Sequence, residues 1–568
     1  MNSSTAPADL LFENGPVFAA DGGAAPVRQA VAVRGDRIVA VGPGARELAG
    51  AGTERIDLAG RLLIPGFQDS HVHAVFGGVE LGHCDVSALY GVEAYVAAVA
   101  EYAQANPELE WITGSGWSLD AFPGGLPTAA LLDAVVPDRP VFLTNRDHHG
   151  AWVNSRALGI AGIGRDTPDP ADGRIERDGR GEPAGMLQEG AVTLVERLLP
   201  ELTADEFDRA LDRAQALLHS LGITGWQDAL IGAALGIKDN YDAYLRAAES
   251  GRLTARVRGA LWWERDRGAE QIERLVARRE RGRGAGNGRF DPGSVKIMQD
   301  GIVENGTAAL GSPYFERVGN GCGCGGQGAV SASASEPIGT GNSGLSFVDP
   351  ELLRGYVSEL DRLGFQVHFH ALGDRAVREA LDAIEAALAA NGPSANRHHL
   401  AHLQVVHPDD VPRFAALGAT ANIQPLWACH EPQMDGLCIP LLGSERSTWQ
   451  YPFKSLLAAG ATLAAGSDWP VTSPDPIAGI HVAVNRIAPG EHEQPLIPAE
   501  RLSLAEAITA YTAGAARVNH ADETGRIAPG LLADLAVLDR DPFAGPAEAI
   551  HETRVLATYV GGEAVFQS

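Results

Sequence analysis

The chain is poor in cysteine, in basic residues and in long apolar runs, and each shortage removes a class of protein. Five cysteines in 568 residues (Cys84, Cys322, Cys324, Cys429 and Cys438) are an odd and sparse set, too few for a disulfide framework. Lys plus Arg total 45 against 72 for Asp plus Glu, a formal charge of -27. Such a chain is repelled by nucleic acid and by anionic membrane surfaces, so neither is expected as a partner. No stretch of about 18 apolar residues occurs, so no membrane-spanning helix is expected. The opening residues, MNSSTAPADLLFENG, carry neither a basic n-region nor a long apolar h-region. The expected setting is therefore the cytoplasm, with reduced thiols. No Gly-rich phosphate-binding fingerprint follows any apolar run, which argues against a doubly wound nucleotide-binding sheet.

What the chain does have is a regular alternation in its middle and β-rich texture at both ends. Residues 8–63 pair short apolar runs with Asn-Gly, Gly-Asp and Ala-Gly turn signals, and the far C-terminus repeats the pattern. One β-sandwich built from residues 1–62 and 519–568 accounts for both. Between them, eight strand-like runs alternate with amphipathic helices: 62–70, 223–229, 255–263, 294–301, 365–370, 398–404, 418–425 and 461–468. The helix at 374–391 shows the spacing well, with Ala376, Val377, Ala380, Leu381, Ile384 and Leu388 on one face. Eight β/α alternations predict an α/β fold, a (β/α)8 TIM-like barrel, over residues 63–518. The interval from His73 to Gly222 is too long for one βα unit. Residues 74–221 are read as an insertion subdomain on the barrel's C-terminal face, able to cover a site there. Residues 319–346 are Gly/Ser-rich and are expected to form a mobile loop.

In such a barrel the C-terminal strand ends carry the chemistry. The first ends in His71 and His73, two apart and so on one face of the strand. That placement offers two imidazoles to one metal ion. The fourth carries Lys296 between apolar Val295 and Ile297, the fifth His370, the sixth His402 and the eighth Asp468. Spacing alone leaves choices open. His368 shares strand parity with His370, His398 and His399 compete with His402, Lys296 could pair with Asp300, and Asp468 could cap a turn.

The segments PGFQDSHVH (65–73), VKIMQDG (295–301), VHFHALGDRAV (367–377), HLAHLQVVHPDDVPRF (399–414), AAGSDWPV (464–471) and PGLLADLAVLD (529–539) together resemble the metal-dependent amidohydrolase superfamily. Within it they resemble the N-substituted formamide deformylase-like branch, nearly end to end. The resemblance implies that His71 and His73 bind the more buried metal, that a carboxylated Lys296 bridges two metals, and that His370 and His402 hold the second. Asp468 would be both ligand and proton shuttle. It implies one or two divalent ions, zinc first, with iron or manganese as alternatives. The implied reaction is hydrolysis of a non-peptide C–N bond of a small-molecule amide, N-substituted formamide-like, by a metal-activated hydroxide. Opening of a cyclic amide or lactone, or deamination, are alternatives on the same site, and a non-catalytic metal-binding regulatory protein is the alternative of another class. The run NRDHHGAWVNS (145–155) resembles a site-facing segment of the branch, with His149 as its recurrent histidine. Trp117, Trp427 and Trp469 are further candidates for the pocket wall. Gln68 departs from the family, where an apolar residue is usual, and little effect is expected. A homodimer is the base-rate expectation for assembly.

Overall fold

The computed structural model describes residues 6–234, 238–316 and 339–568. Most of the Gly/Ser-rich stretch 319–346, with Cys322 and Cys324, lies outside the described residues.

The residues at 62–73 explain how two layers of the molecule meet. Leu63–Pro65 forms one short strand and Phe67–Val72 another. The first pairs with Leu535–Val537 and with Val17 in a six-stranded sheet that draws on both chain ends. The second pairs in parallel with Ile223–Ile231 as the first strand of the barrel. Gly66 joins them, and a Cβ there would lie 2.3 Å from Thr224 Cγ2. The chain thus changes sheets at a point where the Thr224 side chain leaves no room for a Cβ. A four-stranded sheet from residues 10–57 faces the six-stranded one. Phe12, Val31 and Ile38 of the former share a core with Leu63, Val537 and Tyr559 of the latter, and the Phe12 and Tyr559 rings meet edge to face at 5.2 Å.

Eight parallel strands follow one another around the barrel in chain order: Phe67–Val72, Ile223–Ile231, Arg256–Trp262, Phe290–Met298, Gln366–Ala371, His399–His402, Thr420–Ile423 and Thr462–Ala465. All nine residues of Ile223–Ile231 are buried, as expected for strands covered on both faces. The ring is completed past the ladder ends. Asp468 N donates to His71 O at 2.7 Å, and His73 N donates to Trp469 O at 2.8 Å. The outer helices bury the predicted stripes. Asp374–Asn391 buries Ala376, Val377, Ala380, Leu381 and Ile384. Its neighbour Pro350–Arg362 starts on Asp349, whose carboxylate accepts from Glu351 N and Leu352 N, with Pro350 in the first turn.

Between the first and second barrel strands lies a separate six-stranded sheet, all of it from residues 84–189. It has its own core of Tyr95, Trp117, Leu143, Trp152 and Met186. Ala204–Ser220, opened by a Thr203/Glu206 capping box, leads back into the second barrel strand. Among the described residues no helix is long and apolar enough to cross a membrane.

Candidate metal centre

Strand parity brings the ligand-type groups into two layers. Lys296 pairs in register with His368, and His368 with His399. His370 stands one pleat repeat higher, nearer the C-terminal mouth, whereas His402, three residues past His399 and opposite Ala371, reaches the same space where its backbone turns left-handed at φ 81. The upper layer opens on a tight cavity of about 40 Å³, lined by His71, His73, Lys296, His370, His402 and Asp468. Six groups read from five strand ends thus face one space.

Asp468 is its centre. One carboxylate oxygen lies 3.2 Å from His71 Nε2 and 3.0 Å from His73 Nε2. The other is 3.8 Å from His402 Nδ1. Among the described residues, His71, His73 and Asp468 form the group whose donor atoms lie close enough together to hold one ion. Burial works against charge on Asp468, yet the surrounding imidazoles hold its pKa well below the usual carboxylate range. Burial drives the histidines the other way: His71 falls to about 3, and His370 and His402 fall well below their ordinary value. Neutral imidazoles beside a carboxylate are the protonation states that ligation requires. Asp468 has φ 57 and His402 φ 81, left-handed backbone that non-glycine residues adopt at a cost.

The donor atoms fit a cation better than they fit one another. His370 Nε2, His402 Nδ1 and Asp468 Oδ1 are all buried and make no hydrogen bond, whereas buried polar atoms are nearly always partnered. Imidazole nitrogen with carboxylate oxygen suits zinc, iron and manganese alike. Lys296 is buried, and its Nζ lies 3.4 Å from His71 Nε2. Burial lowers its pKa to about 7. It does not pair with Asp300, whose oxygens are taken by the N–H groups of Leu372, Gly373 and Ala309. Asp69 ties the first and last strands together by accepting from His71 N, Ser467 N and Ser467 Oγ. A Cβ on Gly466 would lie 2.5 Å from His71 N, so the closure depends on that glycine. Gln68 bonds Thr524 and Asn519 and so fastens the barrel base to the C-terminal segment.

The insertion contributes one wall. His149 lines the cavity, with its ring centroid 5.7 Å from that of His370. Its Nδ1 is 3.0 and 3.1 Å from the two oxygens of buried Glu189. Burial opposes charge on His149, but the Glu189 carboxylate outweighs it and pushes the pKa up to about 9. Trp427 stacks parallel to His402, ring centroids 5.1 Å apart, and lines the adjoining cavity with Arg146 and Glu431. Trp117 is not part of the site, contrary to the expectation. It is fully buried in the insertion core, packed on Phe122 and Trp152, and its Nε1 donates to Leu143 O. Trp469 is likewise buried, against the helix Ala74–Glu80.

Several lining residues escaped the motif reading. Phe76, Leu230, Trp262, Met298 and Val471 give the cavity an apolar side. His148 also lines it with both ring nitrogens unpartnered and φ 61. Its signal in the sequence was only its place beside His149. His368 and His399 lie one layer deeper, and both ring nitrogens of each are taken by protein groups. That is what separates them from His370 and His402. His398 pairs with Asp361 at 3.0 Å, in a groove at the opposite end of the barrel.

A parallel eight-stranded barrel with a buried His/Asp/Lys cluster at its C-terminal mouth defines a metal-dependent hydrolase. The chain belongs to the amidohydrolase family, whose model matches residues 54–566, and is thus a hydrolase acting on C–N bonds. It is 33% identical to Protein LONG AFTER FAR-RED 3 of Arabidopsis thaliana, covering 98% of this chain and 92% of that one. It is 28% identical to the N-substituted formamide deformylase of Arthrobacter pascens, covering 94% of each. Among solved structures, an uncharacterized metal-dependent hydrolase from Pyrococcus furiosus superposes with a TM-score of 0.69 at 26% identity, over 94% of this chain and 99% of the other.

Proposed function

We propose that the protein hydrolyses a small amide of the N-substituted formamide class, with Asp468 carrying the proton. The observation that supports this most is the placement of Asp468, an ionised carboxylate buried among three imidazoles at the mouth of the barrel. In this reading His71 and His73 hold one cation, His370 and His402 a second, and Asp468 a further position. A carboxylated Lys296 would add its anionic oxygens to the same donor set. A lysine kept near neutrality by burial has a free amine to attack CO2, releasing one proton and gaining the anionic oxygens that an ammonium lacks. Zinc is the first candidate for the cations, with iron or manganese as alternatives. Bound there, such an ion supplies Lewis acidity toward the substrate carbonyl and lowers the pKa of water enough to provide hydroxide near neutral pH.

The chain's own residues do the rest. Asp468 accepts the proton of the attacking water and delivers it to the departing nitrogen, so one group serves as base and then acid. His149, charged through Glu189, donates an N–H to the oxygen that becomes negative as the carbonyl turns tetrahedral. The apolar side formed by Phe76, Leu230, Trp262 and Met298 receives the N-substituent. The formamide class is also the one named for the Arthrobacter relative.

The test is a hydrolysis screen of formamides, longer acyl amides, lactams and lactones with metal-loaded protein, repeated with Asp468→Asn. Formamides are expected to be turned over fastest. The variant is expected to lose about 10²–10⁴-fold in kcat while keeping most of its metal. Preference for lactams or lactones would overturn the substrate class, and undiminished turnover by the variant would overturn the role of Asp468.

A further inference from the structure

Beneath the cavity lies a buried chain of side-chain hydrogen bonds that allows one order of protons. It starts at two main-chain carbonyls. Arg397 O and Val518 O accept from the Gln366 side-chain amide at 2.8 and 2.9 Å. Carbonyls only accept, so the Gln366 oxygen must point the other way. There it accepts from Ser294 Oγ at 2.5 Å and from Gln227 Nε2 at 3.0 Å. That in turn fixes Gln227 Oε1 toward His368 Nδ1 at 2.7 Å and His399 Nε2 at 3.0 Å. Both ring nitrogens therefore carry protons.

A neutral His368 with its proton on Nδ1 has a bare Nε2, and this atom lies 2.9 Å from His71 Nδ1. His71 must donate there. Its other nitrogen, Nε2, is then bare and faces Asp468 and Lys296 at 3.2 and 3.4 Å. The second branch agrees. His399 Nδ1 accepts from Asn422 Nδ2 at 3.1 Å, and Asn422 Nδ2 also donates to Ser70 O at 2.8 Å. Asn422 Oδ1 accepts from Ser70 Oγ and from Gln424 Nε2, and Gln424 Oε1 accepts the His402 main-chain N–H at 2.7 Å. Gln227, Gln366, His368, His399 and Asn422 are all fully buried, out of contact with bulk solvent.

We propose that Gln227 is a positioning residue which, through His368, fixes the tautomer of His71 so that Nε2 is the metal-binding nitrogen. The proposal rests on the reading of His71 as a ligand. Partners one bond removed from a metal-ligating histidine orient the ring and set its tautomer, and here the control passes through a second histidine to an amide. Without the Gln227 oxygen, His368 is free to move its proton to Nε2. That forces His71 Nδ1 to accept and places the His71 proton on the nitrogen that should bind metal.

The experiment measures zinc affinity, with zinc alone, by competition with a chromophoric chelator on folded apo-protein. Gln227→Met removes the acceptor and keeps the shape. It is expected to weaken zinc binding by about 10–100-fold. Gln227→Glu keeps an oxygen facing both histidines and is expected to restore most of that loss, although both variants unfold at lower denaturant than the wild type. Gln366→Leu, which releases the orientation of Gln227 together with the bonds to Ser294 and the two main-chain carbonyls, serves if Gln227→Met does not fold and is expected to shift affinity in the same direction. Wild-type affinity in the Met or Leu variant, or equal weakness in Gln227→Glu and Gln227→Met, would overturn the proposal while leaving the metal reading intact. A wild-type protein that binds no zinc would overturn both.

Discussion

His149 and Glu189 show how much one buried charge decides at this site. With Nδ1 committed to Glu189, a neutral His149 would have a bare Nε2 on the cavity side and nothing to donate. Only the imidazolium carries protons on both nitrogens. Its folded pKa of about 9 stands above the ordinary value of 6.5. The stabilisation it brings is therefore complete below about 6.5 and is lost as pH rises through about 9. Activity should follow the same limb on its alkaline side. Glu189→Gln removes the strongest counter-charge and leaves Asp147 and Glu304 alone to oppose burial, so the alkaline limb of kcat/KM should move to lower pH. At pH 8 the loss expected is about 10²-fold, that of one donor to an oxyanion. A pH–rate profile of the variant superposing on that of the wild type would show that the charge on His149 does not matter. A second measurement separates the structural share: the wild type should lose stability to urea between pH 7 and 9.5 more steeply than Glu189→Gln does.

At the scale of elements, the change of sheets at Gly66 is the most exposed point of the design. The Cβ of an alanine there would lie 2.3 Å from Thr224 Cγ2 and 2.7 Å from Thr224 Oγ1. Thr224 is β-branched, fully buried and bonded to Phe67 O at 3.2 Å, so it has little room to turn away. Gly66→Ala should cost about 1–3 kcal/mol of stability as an overpacked core does, and Thr224→Ala in the same chain should recover part of it. Urea unfolding of the two variants checks this, and a single variant as stable as the wild type would mean that the strands can separate freely. The same stretch shows what was legible in the sequence. The apolar run, the Pro-Gly break and the alternation of His71 with His73 were visible, so the stretch 62–70 could be placed as the first barrel strand with the two imidazoles at its end, although it is in fact two strands, Leu63–Pro65 and Phe67–Val72, split at Gly66. The eight barrel strands were legible for the same reason: buried parallel strands are short apolar runs with turn signals at each end. Trp117 was misread because composition does not tell an aromatic of an insertion core from one of a pocket wall. Choosing His370 over His368 needed depth along the barrel axis. Strand parity gives the face of a residue and not its layer. The Gln227 chain was not legible at all, since it depends on contacts between residues more than a hundred positions apart.

For the whole molecule, a bound cation would change stability whatever the substrate. The cavity holds buried imidazole and carboxylate atoms with no partner, and such atoms cost stability unless something fills their bonding capacity. A cation that binds the folded chain and not the unfolded one stabilises it by RT ln(1 + [L]/Kd), about 2.7 kcal/mol at a free concentration one hundred times Kd. Because the ligands come from strands at both ends of the barrel sequence, from His71 to Asp468, the effect should reach the global unfolding of the barrel and not one loop. Chelation should therefore remove activity and lower Tm together. Re-addition of zinc, manganese or iron should restore both, with the ion that gives the larger shift in Tm being the one held more tightly. Calorimetry of the native, stripped and reloaded protein follows the first quantity, and turnover of the best amide from the screen the second. Stripped protein with unchanged Tm and unchanged turnover would mean that the buried nitrogens are satisfied in some other way. Loss of Tm without loss of turnover would make the ion structural and move the chemistry away from Asp468.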